Sequence, residues 1–462
     1  MTPDTASPTR EPALRRELGL ADLVIFNVTA TLGVQLLPVF AHVGPVAIPL
    51  HIAAAVLFFV PCALVVAKLS RKFPNEGGFY IWTMRAFGDR HAFFCGWSYW
   101  LSVLLLLPVY VLAGIGIFVE VTGSLGAELM RTYAWRIALA AVILWVPLGA
   151  NIIGLRFGKW LNNAGGTMMY AIGILVFLAS AVVGWKNGSA TRFSLHGSWN
   201  LNSVSLWAQI AFAYTGLELA SVMGGEIRNP QKTLPRAAWI SAIAVTCGYL
   251  IGCTGLMIAL PSDSIDPIGG LVQVASVTGT RLGAGWLGGF AAVLLFAGIL
   301  GKLSTWGGGG ARLPFTVGIH GAFPAAFTRL HRRWRTPWIG IIVQGVICSA
   351  LLMLTQAGET LRNGWLVATD MEVLVTFVPF VYIFLSAWKF GQKWSGASGL
   401  LVTLLAMGLS LVPPESASSV LWFEIKAIGG SALLMLVGWA ALAASSPAPR
   451  QYLRRAARHR HE

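Results

Sequence analysis

Long apolar runs follow one another along this chain, separated by short polar or basic stretches. Runs able to cross about 30 Å of hydrocarbon lie near 20–41, 44–67, 93–119, 135–153, 161–185, 203–224, 237–260, 284–313, 337–355, 364–388, 397–413 and 421–445. Strands of a membrane barrel alternate apolar with polar and last only about ten residues. The pattern therefore predicts an all-α integral membrane protein with twelve transmembrane helices.

Two of the runs carry polar interruptions at matched depth. The first reads "LADLVIFNVTATLGVQLLPVF", with Thr29, Thr31 and Gly33 about 14–20 Å from its first end at 1.5 Å per residue. The sixth holds Tyr214, Thr215, Gly216 and Glu218 at a similar depth, measured from the opposite face. Four runs lie between the two, so they cross in opposite directions, which points to an inverted-repeat transporter. A break in a helix frees N–H groups on one half and C=O groups on the other, and in a membrane these must line a cavity or find a partner. An amino-acid zwitterion suits both ends: its carboxylate meets a positive helix N-terminus and its ammonium meets carbonyls. The plainer alternative is that Gly216 only allows tight helix packing.

Composition agrees with the pattern. Of 462 residues, 56% are hydrophobic and 11% charged, against about 25% charged in a soluble domain. The net charge of +15 invites a nucleic-acid reading, but its placement argues for topology. Of 33 lysines and arginines, 25 fall in segments on the side of the N-terminus, seven on the other side, and Lys302 lies within a run. That is the positive-inside pattern, and it predicts a multi-pass protein of the cell (inner) membrane with both termini cytoplasmic. Acidic lipid is then the neighbour of "RRWR" (332–335) and of the basic tail, with no role for nucleic acid. The start, "MTPDTASPTREPALRREL", has no apolar core resembling a signal peptide. The five cysteines show no CxxC pair or metal-ligand spacing and are read as small core residues.

"FAYTGLELASVMGGEIRNPQKTLPRA" (212–237) resembles the sixth helix and following loop of amino acid–polyamine–organocation superfamily permeases. Its loop motif falls on Glu226, Asn229, Pro230, Pro235 and Arg236. "FPNEGGFYIW" (73–82) and "FNVTATLGVQLLPVFAHVGP" (26–45) are similar to two further family stretches. "VTATLGVQLLPVFA", "YTGLELAS" and "SLVPP" look closest to the glutamate/γ-aminobutyrate antiporter branch, while "GGEIRNPQKTLP" and "GWSYWLS" come near plant-type polyamine transporters. The resemblance implies a LeuT-like 5+5 inverted repeat plus two extra helices. Its parts would be a tail (1–19), a first five-helix repeat (20–185), a second, inverted repeat (203–390), helices 11 and 12 (397–445) and a basic tail (446–462).

The resemblance also implies a substrate site: Thr29, Ala30, Thr31, Leu32 and Gly33 on broken helix 1, Phe212, Ala213, Tyr214, Thr215 and Gly216 on broken helix 6, and helices 3, 8 and 10 around them. Trp306 precedes Pro324 at the family's spacing and is the expected aromatic wall. Glu218 stands where the family places proton sensing and gating; otherwise it is a carboxyl bonded to backbone. The chain departs from the family pattern in three ways. Thr31-Leu32-Gly33 replaces a Gly-Ser-Gly turn. "GGGG" (307–310) follows Trp306, so local unwinding or very close packing is expected there. Lys302 lies one turn before Trp306 on the same helix face, where it can attract a substrate carboxylate, carry the coupling proton, or pair with Glu218, Asp370 or Glu372. Ser304 and Thr305 are candidate sodium ligands beside span 1, and His42 and His51 flank the turn between spans 1 and 2 as interfacial residues. The stretch 73–90 reads as an inner gate or lining helix.

No HExxH, GxSxG or CxxC pair is present, so the chain is read as a non-enzyme with neither cofactor nor metal. The function expected is a secondary transporter of neutral or acidic amino acids, or a related amine, coupled to protons or exchange. A polyamine or cationic amino acid transporter is the alternative, and a non-transporting amino acid sensor or partner subunit is the alternative of another class. The expected partners are the small-molecule substrate, protons and membrane lipid.

Overall fold

The computed structural model describes residues 14, 16–74, 77–194, 201–267, 269–319, 323–357, 361–411 and 428–444. Within them the backbone is helical almost throughout, because a chain in hydrocarbon must satisfy its N–H and C=O groups internally. Among the described residues the only bridge between extended segments joins Leu18 to Ile227.

The first half comprises α1 (Leu20–Thr31), α2 (Leu37–His42), α3 (Ala47–Ala54), α4 (Val60–Lys72), α5 (Phe79–Phe87), α6 (Asp89–Thr122), α7 (Ser124–Arg131), α8 (Tyr133–Ile153) and α9 (Leu155–Asn187). A π-turn at Ala55–Phe59 joins α3 to α4 within one continuous rod. The second half comprises α10 (Leu201–Ala213), α11 (Leu219–Val222), α12 (Pro230–Ala259), α13 (Gly270–Arg281), α14 (Leu287–Gly310), α15 (Arg312–Ile319), α16 (Trp338–Ala357), α17 (Leu361–Lys389), α18 (Lys393–Leu409) and α19 (Gly430–Ala444). Among the described residues, eight helical stretches are long and apolar enough to cross a membrane. Outer faces carry exposed Trp160, Trp185, Leu354, Leu401 and Trp439, a surface that water would penalise.

The helices that hold the centre approach closely through small residues. A β-carbon on Gly165 of α9 would stand 2.6 Å from the Gly301 Cα of α14, and one on Gly166 would overlap the Thr29 side chain of α1. The glycine run 307–310 does not unwind: α14 continues through it. Each glycine instead admits a different neighbour. The added β-carbons would meet Leu148 at 2.4 Å, Asn151 at 2.2 Å, Leu219 at 3.0 Å and Val103 at 2.7 Å. The run therefore lets α14 pass between α8, α11 and α6.

Candidate functional site

α1 stops at Thr31 because Leu32 turns extended (φ −68°, ψ 105°), and the chain resumes through a short 3-10 turn into α2. The carbonyl of Ala30 is thereby released from the helix ladder. It accepts from Lys302 Nζ at 3.2 Å and from Trp306 Nε1 at 3.1 Å. These two α14 side chains, one turn apart, converge on a single oxygen. Lys302 also lies 5.3 Å from the centre of the Tyr110 ring, and Trp306 stacks on Tyr99 at 6.2 Å.

The second break begins after Ala213. Gly216 has φ +117°, a conformation open to glycine and strained for other residues. The Glu218 carboxylate folds back on it: Gly216 N donates to both carboxylate oxygens at 3.0 Å, and the Tyr99 hydroxyl donates to Oε1 at 2.7 Å. The two breaks touch. A β-carbon on Gly216 would stand 3.1 Å from the Ala30 carbonyl carbon and 3.2 Å from Thr31 Oγ1. Buried between them, Thr31 Oγ1 has no hydrogen-bond partner among the described residues, while the Tyr214 side chain packs toward Tyr249 and Thr246 of α12.

The candidate residues thus separate into those that meet and those that do not. Ala30, Thr31, Gly33, Ala213, Tyr214, Gly216, Glu218, Lys302 and Trp306 surround the junction of the breaks. The Thr29 hydroxyl bonds back to Ile25 O at 2.7 Å and packs against Gly166, facing α9. Phe212 is half-buried, while Leu32 and Thr215 are buried. Lys302 forms no ion pair with Glu218 or Glu372 among the described residues; the Asp370 side chain lies outside them. Ser304 bonds to Asn151 and Gly158, and Thr305 to Asn162 and Gly301. Both hydroxyls therefore face α8 and α9, while Lys302 bonds the Ala30 carbonyl of span 1.

One central residue escaped the sequence reading, and two that it named stand differently from the roles expected of them. Tyr249 of α12 accepts from Gly33 N at 2.7 Å, and its hydroxyl lies 2.8 Å from Thr31 O and 2.9 Å from Ala213 O. His51, expected at the interface, is instead fully buried and stacked on Tyr249 at 5.1 Å. The phase of α3 turns it inward, whereas His42 stays exposed and reaches Ile265 O at 2.9 Å. Glu372 of α17 is buried with Thr376 as its hydrogen-bond partner at 2.7 Å.

The loop after the second break seals the face that carries the N-terminal segment. Glu226 and Arg312, both buried, form a two-point ion pair at 2.5 and 2.8 Å, the geometry that arginine favours with carboxylates. Glu17 N and Leu18 N donate to Glu226 O at 3.0 and 3.1 Å. Asn229, with φ +48°, turns the chain so that Pro230 opens α12. Gly77 N donates to Val222 O at 3.0 Å, which docks the segment before α5 on α11.

Comparison with known proteins matches residues 18–440 to the amino acid permease family. An uncharacterized transporter of Legionella pneumophila is 25% identical over 452 residues, covering 92% of this chain and 96% of the relative. A probable agmatine/putrescine antiporter of Lactococcus lactis is 23% identical, covering 78% of each chain. The crystal structure of MhsT in complex with L-phenylalanine superimposes with a TM-score of 0.58 at 15% identity, covering 93% of this chain and all of that one. At that identity the likeness establishes a shared fold.

Proposed function

The chain belongs to the amino acid permease family, and on that premise we propose a secondary transporter that moves an amino acid or related amine by alternating access. The observation that carries this reading is the junction of the two broken helices. There the Thr31 hydroxyl is buried without a partner among the described residues, and the groups freed at Ala30 and Gly216 are held by side chains that a substrate can replace. The ammonium of an incoming zwitterion would compete with Lys302 and Trp306 for the Ala30 carbonyl. Its carboxylate would take the Gly216 N–H from Glu218, or meet the Lys302 ammonium so released.

The architecture proposed has twelve membrane helices. Residues 20–185 and 203–390 form two inverted five-helix halves, 397–445 form the two further helices, and both termini lie on the basic, cytoplasmic side of the cell membrane. In that orientation the Glu226–Arg312 layer is the shut inner gate. Glu218 or Lys302 carries the coupling proton, because either can change charge when the substrate displaces its present partner. Neutral or acidic amino acids suit Lys302 as anchor. Cationic amino acids and polyamines are the second reading, favoured by the buried carboxylate of Glu372, which has no cationic partner among the described residues, and by the agmatine/putrescine relative.

The test is uptake of labelled glutamate into proteoliposomes, with unlabelled amino acids and amines as competitors, at pH 5.5 and 7.5. Saturable uptake lost in Lys302→Ala supports the anchor. Competition by cationic compounds alone moves recognition to Glu372, and failure of the whole panel in folded protein points to a sensor.

A further inference from the structure

Tyr249 lies at a point where three backbone groups from the two helix interruptions converge. The Gly33 N–H is directed at its oxygen from 2.7 Å, with the carbonyls of Thr31 and Ala213 at 2.8 and 2.9 Å. Carbonyls freed in broken helices are the usual ligands of a coupling cation. Here a cation is excluded from that point, because the N–H of Gly33 would present positive charge to it. The arrangement of one donor and two acceptors calls for an atom that both accepts and donates, and a hydroxyl is the smallest such group.

We infer that the Tyr249 hydroxyl is a positioning group that ties the two broken helices together at a point where no cation can be coordinated. The inference rests on reading the two breaks as the substrate site. The phenol proton serves one carbonyl at a time, so the tie can pass between Thr31 of the first break and Ala213 of the second without being lost. The ring is held for this task. His51 stacks on one face at 5.1 Å and 20°, Tyr214 meets it edge-on at 5.0 Å, and Phe40 closes the edge at 6.3 Å. Cys253, one turn along α12, holds His51 through a contact of 3.7 Å to Nε2. The consequence is a junction held at this point by a hydroxyl and not by sodium, so sodium is not expected to tune substrate affinity through it.

The test compares wild type with Tyr249→Phe, which removes only the oxygen, and with Trp207→Phe. The latter deletes a different buried donor, bonded to Leu50 O at 3.2 Å, and serves as the control for an ordinary lost hydrogen bond. Two readouts are taken: backbone deuterium exchange in segments 28–36 and 210–217, and KM against maximal rate for a panel compound, with and without sodium. Tyr249→Phe is expected to speed exchange in both segments and raise KM about tenfold, the weight of one buried hydrogen bond. Maximal rate should change less, Trp207→Phe should leave 28–36 and KM unchanged, and sodium should not alter the wild-type KM. Unchanged exchange in either segment of Tyr249→Phe, an unaltered KM, or a wild-type KM lowered by sodium would overturn the inference. If Tyr249→Phe does not fold, His51→Ala frees the ring to shift and is expected to give the same pattern more weakly. If wild type transports nothing in the panel, the transport reading falls, while the exchange readout still decides on the tie.

Discussion

The two broken helices solve the same problem by different means. The second break caps itself: Glu218 lies two residues beyond Gly216, and both its oxygens accept the Gly216 N–H. The first break has no such residue and borrows its partners from α12 and α14, through Tyr249, Lys302 and Trp306. A self-capped break keeps its shape when neighbours move. A borrowed cap changes whenever the lending helix shifts or a substrate competes for the same atoms. The first break is therefore the one whose satisfaction depends on where α14 stands, while a substrate can compete at both.

The contrast can be broken most severely at Glu218. Glu218→Ala leaves the Gly216 N–H and the Tyr99 hydroxyl without an acceptor, at about 1–3 kcal/mol for each unpaired buried group. We expect loss of folded protein on thermal scanning in detergent, with Glu218→Gln recovering much of it because one amide oxygen still accepts. Gly216→Ala comes next, at about 1–3 kcal/mol for holding a side chain in a disfavoured backbone region, plus the 3.1 Å approach to Ala30. It should lower both thermal stability and uptake. Lys302→Met should spare stability more than uptake, since Trp306 still donates to Ala30 O; the ratio of the two losses is the measurement. Trp306→Phe is expected to have the smallest effect on stability, about 0.5–1.5 kcal/mol for one hydrogen bond, because Lys302 remains. The double variant of Lys302→Met and Trp306→Phe should cost more than the sum of the two, since only then is the carbonyl bare.

How much of this could be read from the sequence follows from the same contrast. The self-capped break was legible because its parts are adjacent: a glycine and a carboxylate two residues apart inside an apolar run have few other uses. The interruption at Thr31–Gly33 was also visible, but its partners were only partly so. Lys302 stood out as a charge in an apolar helix. Tyr249 did not, since a tyrosine on an apolar helix usually serves packing, and its bond to Gly33 spans 216 positions. His51 misled because its place near a turn suggested the interface, while helix phase buried it. Glu226 was recognised as part of a motif without its reason, which is Arg312, 86 residues away. The glycine run offered unwinding or close packing, and only the four neighbours that fill its surface decide for packing.

The central claim is that substrate sits where the two breaks meet. It is tested most directly by placing a single cysteine at Thr31, in a chain whose five native cysteines are replaced, and following its reaction with a small thiol reagent in proteoliposomes. The account predicts that compounds competing in the uptake assay slow this reaction, in the same rank order as they compete, while a cysteine at Trp185, on the exposed outer face, reacts at an unchanged rate. Competitors that block uptake yet leave the Thr31→Cys rate untouched would place the substrate elsewhere and contradict the account.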